Sequence, residues 1–63
     1  IIAIEIKRSK SYSPSDLKAL KEFAQDYPNA KLYFLFGGNR KEYVDNILII
    51  PILEAFQHIT TIL

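Results

Sequence analysis

Read for its alternation of apolar and polar positions, the chain separates into five segments. From Ile2 the sequence Ile2-Ala3-Ile4-Glu5-Ile6-Lys7 alternates strictly. Side chains of a strand point to opposite faces in turn, so Ile2, Ile4 and Ile6 share one face and Ala3, Glu5 and Lys7 the other. The β-branched residues reinforce the strand. Ser9 to Ser13 is polar and leaves the sheet. Ser13-Pro14-Ser15-Asp16 then has the form of a helix start, with Ser13 at the cap, Pro14 at the first helical position and Asp16 three residues after the cap. Leu17, Leu20, Phe23 and Ala24 recur at three- and four-residue spacing, with Lys18, Lys21, Glu22 and Gln25 on the other side. That periodicity predicts an amphipathic helix over residues 14 to 26, ended by Pro28.

Lys31-Leu32-Tyr33-Phe34-Leu35-Phe36 is almost wholly apolar, as expected of a strand covered on both faces. A strand, a helix and a second strand form a βαβ unit, whose right-handed crossover makes the two strands parallel. Gly37-Gly38-Asn39 breaks the pattern, and Arg40 to Asn46 reads as a charged loop. Ile47-Leu48-Ile49-Ile50 is a short apolar strand, expected at a sheet edge. Pro51 can open a last helix, whose stripe of Ile52, Leu53, Phe56, Ile59, Ile62 and Leu63 is expected to be buried. The fold class is α/β, a small sheet in the order β-α-β-β-α with helices on at least one face.

Length bears on what such a chain can do alone. A chain of 63 residues buries only ~60% of its unfolded surface, which leaves the folding balance near zero and calls for a partner chain, a ligand or further sequence. The pattern starts in mid-strand without a methionine, so residues 1–63 are read as one partial domain of a larger protein. There are no cysteines, which excludes disulfides and thiolate metal sites. The longest apolar run, Ile47 to Leu53, is too short to cross a bilayer, and no leader pattern is present. The expectation is a cytoplasmic protein with no membrane partner. A net charge of +1 exerts no strong pull on nucleic acid as a whole. The stretch from Ile1 to Lys21 nevertheless carries net +3, against −2 for the remainder.

The chemical signal is Glu5-Ile6-Lys7. Spacing of two puts a carboxylate and an ammonium on one strand face, the pairing used in metal-dependent phosphodiester hydrolysis. The acid helps hold Mg²⁺ through oxygen, and the ammonium orients water or offsets charge on the phosphate. Arg8, Lys10, Lys18 and Lys21 could add phosphate contacts. The same tripeptide also suits any strand with one wet face, and a basic stretch also suits a solvated surface. Gly37-Gly38-Asn39-Arg40-Lys41 lacks the spaced glycine and the Lys-Ser/Thr pair of a phosphate loop and reads as a turn. His58, one turn after Glu54, reads as half of a surface pair. Tyr12 and Tyr43 fall in loops, where packing is the simpler role and base stacking the alternative.

With those residues in view, the run Ile4-Glu5-Ile6-Lys7-Arg8-Ser9-Lys10 and the helix beginning Ser13-Pro14-Ser15-Asp16-Leu17 resemble the second half of the PD-(D/E)xK restriction-endonuclease-like domain. The chain is similar in particular to the C-terminal domain of many bacterial and archaeal AAA+ ATPases. Ile47-Leu48-Ile49-Ile50-Pro51-Ile52 matches the strand ending in proline before a final helix in that family. The resemblance implies a truncated restriction-endonuclease-like core, with Glu5 the metal-binding acid, Lys7 the catalytic lysine and Mg²⁺ the cofactor of an active full domain. The second acid of the family, an Asp on the preceding strand, is not in this sequence. Gln25 and Tyr27 do not have the spacing of the glutamine-tyrosine motif of some relatives. The parent is expected to be an ATP-binding protein with a nuclease-like domain, inactive as this piece. The other expectation is a non-catalytic interaction module. It would form a homo-oligomer through a sheet edge or an apolar face, with nucleic acid as a further partner.

Overall fold

The computed structural model describes the backbone of residues 1–62, and the side chains of all of these except residues 58, 59, 61 and 62. Four strands, β1 (Ile2–Lys7), β2 (Lys31–Phe36), β3 (Glu42–Val44) and β4 (Ile47–Pro51), form one sheet in the order β1-β2-β4-β3. A short 3-10 turn, Pro14–Leu17, leads into helix α1 (Lys18–Asp26), and β4 runs directly into helix α2 (Ile52–Ile62). β1 and β2 are parallel, with Ile2 opposite Lys31 and Lys7 opposite Phe36, and β2 and β4 are parallel as well.

The helix start has the expected chemistry but a tighter first turn. The Ser13 N–H donates to Asp16 Oδ2 at 2.8 Å and the Asp16 N–H to the Ser13 carbonyl at 2.9 Å. That i to i+3 bond makes the first turn 3-10, so α-helical geometry begins only at Lys18. Leu17 and Leu20 are buried, Phe23 and Ala24 half-buried, and the four polar positions between them exposed, as the periodicity predicts.

The final apolar strand corrects one expectation. β4 is an inner strand and not an edge, because Glu42–Val44, expected as loop, pairs antiparallel with it. Asp45 and Asn46 make the two-residue connection, with Asp45 at φ 55°, a left-handed conformation that Asp tolerates better than most residues. Ile47 to Ile50 are in consequence buried throughout. Pro51 closes β4 and does not open the helix; α2 starts at Ile52.

Two clusters form on opposite faces of the sheet. On the α1 side Leu17 and Leu20 pack on Leu32, Phe34, Phe36, Ile47 and Ile49. On the α2 side Ala55 packs with Tyr33, Leu35, Leu48 and Ile50. The stripe expected on α2 faces the other way in part: Ala55 is buried and Ile52 half-buried, whereas Leu53 is 84% and Phe56 63% exposed. Ile59, Ile62 and Leu63 lie outside the described side chains. Over β1 the α2 side is less enclosed. Ile2, Ile4 and Ile6 share the face of Tyr33 and Leu35, yet all three stay exposed.

β1 is therefore an edge strand of the described sheet, with a part-exposed apolar row. The Lys31 N–H donates to the Ile1 carbonyl at 2.9 Å, which directs the backbone groups of odd-numbered residues toward β2. Those of Ile2, Ile4 and Ile6 point to the open edge. Among the described residues no helix is long and apolar enough to cross a membrane.

Candidate functional site

Glu5 and Lys7 lie on the α1 side of β1, in the row that opposes Phe34 and Phe36 of β2. The sheet register thus brings together the pair that the sequence spacing singles out. The helix that covers this face supplies a third group. Lys7 Nζ sits 2.8 Å from Asp16 Oδ2, and the same oxygen accepts the Ser13 N–H. The Lys7 hydrogen bond, followed by that of the Ser13 backbone, holds the Asp16 carboxyl below the usual carboxylate range. Charge-assisted bonds of this kind favour the ionised form. Asp16 is 24% and Lys7 40% exposed at the side chain, so the pair sits in partial contact with solvent.

Glu5 is exposed and has no ion-pair or hydrogen-bond partner among the described residues. It stands at one end of a shallow groove between β1 and α1, walled by Ala3, Ala19, Leu20 and Phe23. One carboxylate beside an apolar wall is not a magnesium site. Mg²⁺ takes about six oxygen ligands in octahedral geometry, and among the described residues no group of three or more His, Cys, Asp or Glu side chains could hold a metal ion. The residues present therefore do not by themselves fit the ion that the sequence resemblance implies.

The four cations considered as one phosphate-binding set are divided by the fold. Lys21 Nζ lies 3.4 Å from Asp45 Oδ2, and Asp45 is in the turn that enters β4, at the amino end of the parallel strands. Lys18 is exposed at the start of α1. Arg8 and Lys10 follow the carboxyl end of β1. There Lys10 lines a cleft with Ser11, Tyr12, Phe36, Asn39, Arg40 and Glu42.

Tyr12 takes the packing role. Its ring lies against Phe34 and Phe36, with centroids 5.6 and 5.3 Å away, and its hydroxyl donates to Glu42 Oε2 at 2.7 Å. Burial, together with the hydrogen bond to Glu42, raises the phenol above its ordinary value. Tyr43, on β3, is 70% exposed. Glu54 pairs with Lys41 at 3.2 Å; the side chain of its expected partner His58 is outside the described set.

Sequence reasoning did not pair Asp16 with Lys7 or place Arg40 at the same cleft as Lys10. Ser13-x-x-Asp16 is fully accounted for by capping, and nothing in the sequence says that the capping acid faces the strand before it. Gly37-Gly38 carried the one usable signal for that cleft. A Cβ on Gly37 would stand 2.4 Å from the Arg8 carbonyl oxygen, so the glycine marks where the loop after β2 meets the loop after β1.

Residues 1–55 match the model of a family described as a domain of unknown function, DUF4143. That domain is found in proteins associated with AAA ATPases. No curated protein and no solved structure matches the chain.

Proposed function

The chain belongs to the DUF4143 family, and from that premise we propose that it is the C-terminal part of a nuclease-like domain in a cytoplasmic, ATPase-associated protein, built around phosphodiester hydrolysis. The observation that carries this reading is the placement of Glu5 and Lys7. They stand side by side on the helix-covered face of an open-edged strand, which a crossover helix joins to a parallel neighbour. In that role the Lys7 ammonium offsets charge that builds on the phosphate oxygens, and Asp16 holds it in place. Glu5 is the acid left free to meet a substrate-bound water or an ion whose remaining oxygen ligands come from outside these residues.

The test uses the full-length protein that carries this domain, incubated with DNA and RNA with and without magnesium chloride. Cleavage that requires magnesium, and that falls by about 10²–10³-fold in Lys7→Ala and comparably in Glu5→Gln, is the expected result. Cleavage that both variants leave intact, or a full-length protein that cuts neither polymer, refutes the reading.

A second reading has its own observation. Ile2, Ile4 and Ile6 form an exposed apolar row along a strand whose outward N–H and C=O groups have no partner strand among the described residues, a template for pairing with another chain. In this reading the module is a non-catalytic assembly device that pairs β1 with β1 of a second copy. Antiparallel pairing centred on Ile4 sets Ile2 opposite Ile6 of the second copy and keeps all six isoleucines on one face. Sedimentation at rising concentration would show a dimer; a folded monomer throughout rules the pairing out.

A further inference from the structure

In open α/β sheets, ligands bind outside the carboxyl ends of the strands. The loops that follow β1 and β2 meet at that end of this sheet. The Gly37 N–H donates to the Ser9 carbonyl at 2.8 Å, and the Gly37 Cα approaches so closely that a Cβ would collide with the Arg8 carbonyl. The contact locks the two loops together. Between them is a cleft of about 220 Å³, lined by Tyr12 and Phe36 together with Lys10, Ser11, Asn39, Arg40 and Glu42.

The charges in the cleft do not cancel. The three ion pairs among the described residues use Lys7, Lys21 and Lys41; Lys10 and Arg40 are in none of them. Glu42 is the one acid at the rim, and one of its oxygens accepts the Tyr12 hydroxyl. Arg40 lies near enough for its charge to act on the Tyr12 phenol, against the rise caused by burial. Lys10, Arg40, Ser11 and Asn39 therefore line one small space, and their side chains are of the donor types suited to phosphate oxygens.

We propose that the cleft between residues 8–13 and 37–42 is a phosphate-binding site that takes one phosphodiester of a nucleic-acid backbone, held by Lys10 and Arg40 with Ser11 and Asn39. Size and exposure choose the ligand. Cofactor and small-molecule pockets run from ~300 to 1,000 Å³, so this cleft holds a phosphate group and leaves the attached sugars outside. Two exposed cations hold a lone ion weakly. A polymer gains from neighbouring contacts, and Arg8, two residues before Lys10, is exposed beside the same loop. The site rests on the nuclease-like reading for the class of ligand only, and it holds equally for a domain that binds without cutting.

The experiment is fluorescence anisotropy of a labelled DNA duplex across a salt series, with an NMR titration of the same chain by inorganic phosphate alone. Lys10→Ala and Arg40→Ala each weaken duplex binding several-fold whatever the sequence. Each also lowers the slope of log affinity against log salt by ~0.9, the value for one lost phosphate contact. Lys21→Ala, whose ammonium sits on Asp45, leaves both quantities unchanged. Duplex binding that is indifferent to Lys10 and Arg40 overturns the proposal. So does a chain whose Ser11 and Asn39 amides respond to inorganic phosphate while no duplex binds, which would make free phosphate the ligand. Because Glu5 and Lys7 are untouched, failure here is distinct from failure of the cleavage test.

Discussion

Gly37→Ala isolates the contact on which the carboxyl-end cleft depends. Gly37 does not have a positive φ, so alanine meets no backbone strain there. By that criterion the change should stabilise, by about 0.4–1 kcal/mol, through a stiffer unfolded chain. The packing says the opposite. The added Cβ would lie 2.4 Å from the Arg8 oxygen, 3.1 Å from the Ser9 oxygen and 3.2 Å from the Arg8 carbonyl carbon. All three are backbone atoms, which cannot rotate aside. The nearest is roughly 1 Å closer than ordinary van der Waals contact, so one loop must move by about that much, a strain of ~1–3 kcal/mol. The movement also stretches the Gly37 to Ser9 hydrogen bond, worth about 0.5–1.5 kcal/mol. The net cost is ~2 kcal/mol, which in a domain this small lowers Tm by roughly 8–16 °C. Circular dichroism melting measures it, and NMR should place the largest shifts at residues 8–12. A Tm that is unchanged or raised refutes the close approach and, with it, the locked geometry of the cleft.

Three further perturbations test other parts of the structure. Ile49→Ala removes a fully buried side chain from the central α1-side cluster and should cost ~2–5 kcal/mol in a urea melt; a loss below 1 kcal/mol would contradict its place in the core. Asp16 has a depressed folded pKa, so its contribution to stability is present above the ordinary carboxylate value and lost as the pH falls through the folded one. Lys7→Met should therefore move the Asp16 carboxyl titration upward by NMR and flatten the acid limb of the stability curve below about pH 4, and an unmoved titration would break the assignment. Ile4→Pro deletes an N–H that points to the open edge, a position where a strand tolerates proline. The variant should stay folded while edge-mediated self-association disappears, and association that survives would show that the β1 edge is not the interface.

Much of the fold was legible because its elements carry local signals. Strict alternation from Ile2 to Lys7, the Ser13-Pro14 start and the all-apolar Lys31–Phe36 run each specify one element type, and the parallel pairing of β1 with β2 follows from the crossover between them. β3 was not legible, since Glu42-Tyr43-Val44 is too short and too polar to announce itself and forms only because β4 offers an edge. The position of β4 in the sheet followed from the same omission. In the site, the Glu5 and Lys7 placement came from the period of two alone. The Asp16 partner of Lys7, and the cleft that Lys10 shares with Arg40, come from tertiary approach of segments with no sequence relation.

The α2 stripe shows why amphipathicity alone does not say what a helix covers. Its apolar positions sweep a wide arc, and the sheet beneath receives only the Ile52 and Ala55 part of it. Leu53 and Phe56 remain in solvent, as do Ile2, Ile4 and Ile6 on the same side of the sheet. The α1 side has a different character: its large apolar residues are buried or half-buried, and beside β1 it shows to solvent the exposed Glu5 and the Lys7–Asp16 ion pair. An added strand on the β1 edge would extend both faces at once. It would bring cover to the isoleucine row and set a new row of side chains beside Glu5. The two proposed roles, phosphodiester chemistry and pairing with another strand, thus draw on the same edge. A strand that brings an acid next to Glu5 favours the first, and one that brings only apolar contacts favours the second.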